Sequence, residues 1–197
     1  MNRSREWART MIAVKATRLV VIASVGFRPA GLTAMVQPPA ILWCRLPTAT
    51  TPEDMMDIRA LTPTYAVSPQ IEPSDLPLIR AAGYRTVIDN RPDGEIPEHL
   101  HTEIMRAAVE AEGLTFAVNP IIGGQLTMAN VEAQAEAIAN LPGPVLAYCA
   151  SGNRSSVVWA LAHAGQMETD DLIGIPARFG YQLEHLRPTL DDLASRG

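Results

Sequence analysis

Cysteine is scarce in this chain, with Cys44 and Cys149 the only two among 197 residues. Two cysteines cannot make a disulfide framework, so a reduced, intracellular type of protein and a cytoplasmic location are expected. Lysine is rarer still, since Lys15 stands alone. Basic residues number 16 against 21 acids, a formal net charge of -5, which argues against a protein whose main task is to neutralise nucleic-acid phosphates. Long apolar runs are missing as well: Leu19 to Phe27 (LVVIASVGF) falls far short of the roughly 20 residues of a membrane helix. No internal repeat or low-complexity tract is found, and no aspartate occurs between Asp93 and Asp170.

What is present fits a soluble fold with one core. Apolar residues make up 47% and charged residues 19% of the chain, close to globular averages, and 197 residues suit one domain better than two. Charge is spread unevenly. Up to Asp54 there are seven basic residues and three acids, a net of +4, whereas from Met55 onward nine arginines face eighteen acids, a net of −9. Pro29, Pro38, Pro39, Pro47 and Pro52 punctuate the first part, and no helical or strand period holds there. Residues 1–54 are therefore expected to be a disordered leader or an over-extended start ahead of Met55-Met56. A targeting segment is the remaining reading, because Lys15 and Arg18 precede the short apolar run. Residues 55–197 are expected to form the domain.

From Ala60 the pattern becomes regular. Strands are expected at Tyr65 to Ser68, Arg85 to Asn90, Thr115 to Asn119 and Pro144 to Tyr148, each short, apolar or β-branched. Helices are expected at Ser74 to Ala82 (closed by Gly83), Glu98 to Glu112 (closed by Gly113), after the N-cap Thr127 to Asn140, and Ser155 to Ala164. One or two amphipathic helices follow between Thr169 and Ser195, interrupted at Gly180 and Pro188. Such alternation predicts an α/β fold with a mainly parallel, four-stranded sheet. Ligands of such folds gather beyond the carboxyl ends of the strands.

At that end of the fourth expected strand the chain reads Cys149-Ala150-Ser151-Gly152-Asn153-Arg154-Ser155-Ser156. A cysteine between a strand end and a helix N-terminus faces backbone N–H groups and the positive end of the helix dipole, and both favour the thiolate. Gly152 and Asn153 tolerate the left-handed backbone that a curled loop needs. Arg154 can hold two oxygens of an anion bidentately. The competing reading is a buried core cysteine; the small-residue loop, the arginine and the helix favour the functional one. Cys44 has no such surroundings. His99 and His101 point apart on a helix and lack a completing carboxylate or cysteine, so no metal is expected; His163 and His185 read as structural or surface residues.

PVLAY followed by CASGNRSS resembles the cysteine loop of the phosphatase-like domain of beta-lactamase-hydrolase-like proteins, a branch of the tyrosine/dual-specificity phosphatase superfamily whose members are also labelled sulfurtransferases. The likeness runs from about Ile58 to Arg187. It includes TVIDNRPDGE (Thr86 to Glu95), the Gly-Gly-x-Leu-Thr stretch Gly123 to Thr127, and GYQLEHLRP (Gly180 to Pro188). The resemblance implies a phosphatase-like three-layer fold with the cysteine loop between the last strand and a helix. By the same resemblance the turn Asn90 to Glu95 lies beside that loop, where Arg91 would add positive charge and Asp93 or Glu95 would serve as a surrogate acid, although Pro-Asp-Gly is also ordinary turn chemistry.

Loop length and the missing aspartate then separate two chemistries. Tyrosine phosphatases use Cys-x5-Arg, whereas Cys149 and Arg154 are spaced Cys-x4-Arg, as in the rhodanese sulfurtransferases. Phosphatases of that superfamily also use an aspartic acid on a loop after the third strand to protonate the leaving oxygen, and none occurs here. The expected activity is therefore a rhodanese-like sulfur transfer from thiosulfate or a persulfide to a thiol through a persulfide on Cys149. Arg154 and the amides of Ala150, Ser151, Gly152 and Asn153 would hold the anionic group, and the Ser155 hydroxyl would bond the sulfur. Ala150, where many relatives carry a basic residue, implies a weaker or less charged ligand. The alternatives are a phosphatase-like hydrolase of phosphate esters, or a non-catalytic module binding an anion or a partner. A persulfide-oxidising enzyme is the expected protein partner, since relatives occur fused to one. No cofactor, nucleic acid or membrane is expected.

Overall fold

A computed structural model of the chain describes residues 56–196. The expectations for residues 1–54, and Cys44 with them, lie outside the described residues.

Within the described part a five-stranded sheet carries helices on both faces. Strands β1 (Arg59–Thr62), β2 (Tyr65–Ser68), β3 (Thr86–Asp89), β4 (Thr115–Val118) and β5 (Val145–Tyr148) lie in the order β1-β2-β5-β3-β4. The pairs β2·β5, β5·β3 and β3·β4 are parallel, and only β1 runs antiparallel, against β2. The helices are α1 (Leu76–Ala81), α2 (Thr102–Ala111), α3 (Met128–Asn140), α4 (Asn153–Ala162), α5 (Thr169–Ala177) and α6 (Arg187–Arg196). The expected α/β architecture is present, with five strands in place of four. β1 leaves no strand period in the sequence, because RALT buries a single apolar side chain, Leu61.

Alternation along the strands builds the three layers. Ala66, Val87, Phe116, Leu146 and Tyr148 face one way and pack with Leu76 and Ile79 of α1 and Met105 and Val109 of α2. Tyr65, Val67, Ile88, Val145 and Ala147 face the other way, toward Val131 of α3, Val158 and Trp159 of α4, Leu172 of α5 and Leu190 of α6. Fully buried Trp159 stacks on Tyr65 at 6.1 Å between ring centroids and anchors that second layer.

Three boundaries differ from expectation for identifiable reasons. The segment from Glu98 does not form one helix: a 3-10 turn, Glu98–Leu100, is followed by extended His101, and α2 starts at Thr102. The Asp93 carboxylate caps that start by accepting hydrogen bonds from the Thr102 N–H and hydroxyl, both at 2.8 Å. Pro188 does not interrupt the tail but sits in the first turn of α6, where a missing N–H costs nothing. Most relevant to function, α4 starts at Asn153 rather than Ser155, which draws Arg154 out of the loop and into the helix's first turn.

Candidate active site at the cysteine loop

The parallel register sets Ser68 of β2 and Asp89 of β3 on either side of Tyr148 of β5, in one row at the carboxyl end of the sheet. Cys149 is the next residue. Its N–H donates to the Ser68 carbonyl at 3.4 Å, and its side chain is buried at the floor of the loop, 1% exposed. Above it Ala150, Ser151 and Asn153 are exposed and Gly152 is buried. Gly152 caps α4 with φ 87°, a left-handed conformation that glycine adopts without steric cost. The resulting curl aims the Gly152 N–H at Cys149 Sγ, 3.2 Å away. The thiol thus sits at the amino end of α4 with a backbone donor on its sulfur.

Arg154 lies on the same side of the loop and is held by two partners. It donates to both carboxylate oxygens of Glu95 (Nη1 to Oε1 at 2.9 Å, Nη2 to Oε2 at 2.6 Å) and to the Ile121 carbonyl. Glu95 holds the guanidinium even more firmly in its charged form, and Arg154 in turn keeps the Glu95 carboxyl below its usual range. Arg91 supports Glu95 from the other side. Its guanidinium donates to the Glu95 carbonyl at 3.1 Å and to Gln70 at 3.0 Å, and its Nε lies 3.8 Å from the Glu95 carboxylate. Arg91 is therefore occupied with fixing Glu95, and Asp93 with capping α2. Of the turn residues singled out in the sequence, Glu95 is the one in contact with the cysteine-loop arginine.

Ser155 departs from expectation. Its hydroxyl is buried and makes no hydrogen bond within the described protein, so it is not on the sulfur. The neighbouring Ser156 hydroxyl donates to the Gly152 carbonyl at 2.9 Å and braces the loop. Ser155 is fixed through its backbone, whose carbonyl accepts from the Tyr65 hydroxyl at 3.3 Å.

That Tyr65 contact ends a buried polar network. Gln134 Oε1 accepts from the side-chain amides of Asn90 at 2.9 Å and Asn119 at 2.8 Å, while its Nε2 donates to the Tyr65 hydroxyl at 3.0 Å. Asn119 and Asn130 are joined in the same way, at 2.9 Å. The Ile121 N–H donates to the Asn90 carbonyl at 3.1 Å, which sets the height of the Ile121 carbonyl that Arg154 uses. Burial pushes the Tyr65 hydroxyl well up and keeps it neutral. Asp89, fully buried beside Tyr148, has its carboxyl pushed up to about 6 by burial, against the opposing hydrogen bond from the Arg91 N–H.

A third support lies on the opposite rim. Tyr181, between α5 and α6, donates its hydroxyl to the Ser151 carbonyl at 2.8 Å and receives Arg59 Nη1 at 2.5 Å. Neither Tyr181 nor the asparagine–glutamine network was singled out from the sequence. Tyr181 falls in the GYQLEHLRP stretch, but nothing in that stretch tells which element it touches.

A doubly covered, mostly parallel sheet with a cysteine and an arginine at the turn into α4 defines a phosphatase-like domain. Residues 57–166 match the family model of the phosphatase-like domain of beta-lactamase hydrolase-like proteins, and the chain belongs to that family. A beta-lactamase hydrolase-like protein of Xylella fastidiosa is 32% identical over 130 residues, which is 65% of this chain and 30% of the relative. The chain thus matches under a third of that longer protein. Among solved structures, a candidate phosphatase from Neisseria meningitidis is 31% identical with a TM-score of 0.60, covering 70% of this chain and 99% of the other. The core catalytic domain of a PP-IP phosphatase from S. cerevisiae, solved with citrate, has a TM-score of 0.54 at 11% identity, covering 68% of this chain and 83% of the other. That likeness is one of fold. Among the described residues no helix is long and apolar enough to cross a membrane.

Proposed function

We propose that the domain is a cysteine-dependent, phosphatase-like hydrolase acting on a small anionic phosphate ester. The observation that carries this reading is the pairing of Cys149, with the Gly152 N–H on its sulfur, and Arg154, oriented bidentately by Glu95. In this reading an incoming phosphoryl group takes the place of Glu95 on the Arg154 fork. The thiolate attacks phosphorus, the S–P bond forms and the bond to the leaving oxygen breaks. Water then cleaves the S–P bond, releasing phosphate and returning the thiolate. The loop from Asn119 to Thr127 holds no acidic side chain, so the leaving group departs as its anion and esters with stable leaving groups are favoured. The fold shared with the candidate phosphatase of Neisseria meningitidis supports this reading.

Sulfur transfer is the second reading, favoured by one observation: only four residues separate Cys149 from Arg154. A shorter loop suits a persulfide sulfur better than a whole phosphoryl group, and sulfite leaving from thiosulfate needs no proton. A persulfide-oxidising enzyme as partner belongs to that reading alone. Two assays on the same protein separate the readings. Turnover of an aryl phosphate that disappears in Cys149→Ser is the expected result. A gain of one sulfur atom in intact mass after thiosulfate, lost in Cys149→Ser and without phosphate turnover, would replace hydrolysis by transfer. Inertness in both, with retained sulfate binding, would leave a binding module.

A further inference from the structure

The Ser151–Gly152 peptide is a single rigid plane with a partner at each end. Its N–H donates to Cys149 Sγ at 3.2 Å and its carbonyl accepts from the Tyr181 hydroxyl at 2.8 Å. The same hydroxyl receives Arg59 Nη1, whose guanidinium also lies over the Tyr181 ring, 5.0 Å from its centroid. Asp57 holds that guanidinium from the far side through Nε, at 2.8 Å, and Nη2. An unbroken chain of donors therefore runs from the Arg59 cation through a phenol and a peptide to the sulfur.

We infer that Tyr181 and Arg59 form a positioning relay that locks the Ser151–Gly152 peptide with its N–H toward Cys149 and strengthens that donor for the thiolate. Polarity is transmitted because each hydrogen bond in a chain strengthens the next where water is excluded. Tyr181 is buried, 5% exposed. The lock is needed because Gly152, at φ 87°, tolerates both senses of backbone rotation. Among the described residues the Tyr181 hydroxyl is the hydrogen-bond donor to the Ser151 carbonyl, so its loss frees a peptide flip that would turn an oxygen toward the sulfur. Packing points the same way: a Cβ added at Gly152 would lie 2.0 Å from the Tyr181 hydroxyl oxygen, so the two residues are fitted to each other. Besides this relay, the titratable groups facing Cys149 are Arg154 from α4 and Tyr65 from β2. Neither touches the Ser151 carbonyl, so the relay acts independently of both.

The inference rests on Cys149 being the reactive thiol, but not on which anion it attacks. Alkylation by iodoacetamide as a function of pH reads the thiolate directly, without turnover. In Tyr181→Phe the alkylation curve is expected to move to higher pH, with the rate near neutrality falling about three- to tenfold, the effect of one buried hydrogen bond. Arg59→Gln keeps the ring and its packing and is expected to shift the curve in the same direction by a smaller amount. Should Tyr181→Phe fail to fold, Arg59→Gln decides. A curve superimposable on that of the parent in a folded Tyr181→Phe, or in Arg59→Gln where the first variant is unfolded, overturns the relay. A shifted curve without aryl phosphate turnover in the parent would leave the relay standing and remove the hydrolase reading.

Discussion

The cysteine loop is held by two flanks built on opposite principles. One is ionic and half-exposed: Arg91, Glu95 and Arg154 keep 19%, 34% and 18% of their side-chain surface. The other is neutral and sealed, with Asn90 and Gln134 fully buried and Asn119 5% exposed. An ion pair near water gains little net energy, because solvent competes for both charges. Such a contact can be traded for another anion at small cost. Buried amides have no solvent to fall back on, so each must keep its partner or leave the full desolvation cost exposed. The ionic flank is suited to exchange with a ligand, and the amide flank to holding the strand ends beneath it still.

Breaking the sealed flank should have the largest effect. Gln134→Leu preserves approximate volume but takes one partner each from the side-chain amides of Asn90 and Asn119 and from the Tyr65 hydroxyl, leaving them the carbonyls of Asn119, Asn130 and Ser155. Unfolding in urea is expected to show a loss of about 3 kcal/mol, the range for a broken buried network. A loss below about 1 kcal/mol would mean that water enters and replaces the glutamine, and that the flank is not sealed.

The two flanks also differ in how they show in the sequence. The cysteine loop was legible because a strand, a small-residue turn, an arginine and a helix follow one another within one short stretch. The parallel strands were legible for a similar local reason: TVID and VLAY are buried at every position, so they read as short runs rich in apolar or β-branched residues. The amide network leaves no such trace. Asn90 and Asn119 directly follow β3 and β4, Asn130 and Gln134 lie on α3, and each alone reads as a turn or surface residue. Their partnership exists only once β3, β4 and α3 are packed. Glu95 fell between these cases, being visible in an acidic turn while its pairing with Arg154 depends on β5 lying next to β3. Arg59 leaves no trace either, because its strand RALT has no apolar period.

Asp89 tests whether the sealed flank tolerates charge at all. Its carboxyl, pushed up to about 6 by burial, binds a proton more tightly in the folded than in the unfolded chain, where the value is near 3.9. Folding is therefore helped when the group is protonated. Its contribution becomes unfavourable as pH rises from about 4 to about 6, and the cost is complete above that window. Asp89→Asn keeps an acceptor for the Arg91 N–H and removes the ionisation. The variant is expected to exceed the parent in stability by about 1–2 kcal/mol at pH 7, with the gap closing toward pH 4. A gap that does not change with pH would show that Asp89 is solvated when charged.

Glu95→Gln probes the ionic flank and should have the smallest effect on folding, within about 1 kcal/mol, because the lost pair is half-exposed. Arg154 holds Glu95 below its usual range, so in the parent this contact is intact at neutral pH and weakens only as pH falls through that lowered value. The amide oxygen of glutamine still orients the guanidinium but brings no negative charge to compete with an anion. Sulfate, followed by calorimetry at low ionic strength, is therefore expected to bind about two- to fivefold more tightly to the variant, a gain that shrinks as added salt screens the site. Weaker binding would reverse the comparison: Glu95 would then belong with Gln134, as a fixed support whose place no ligand takes.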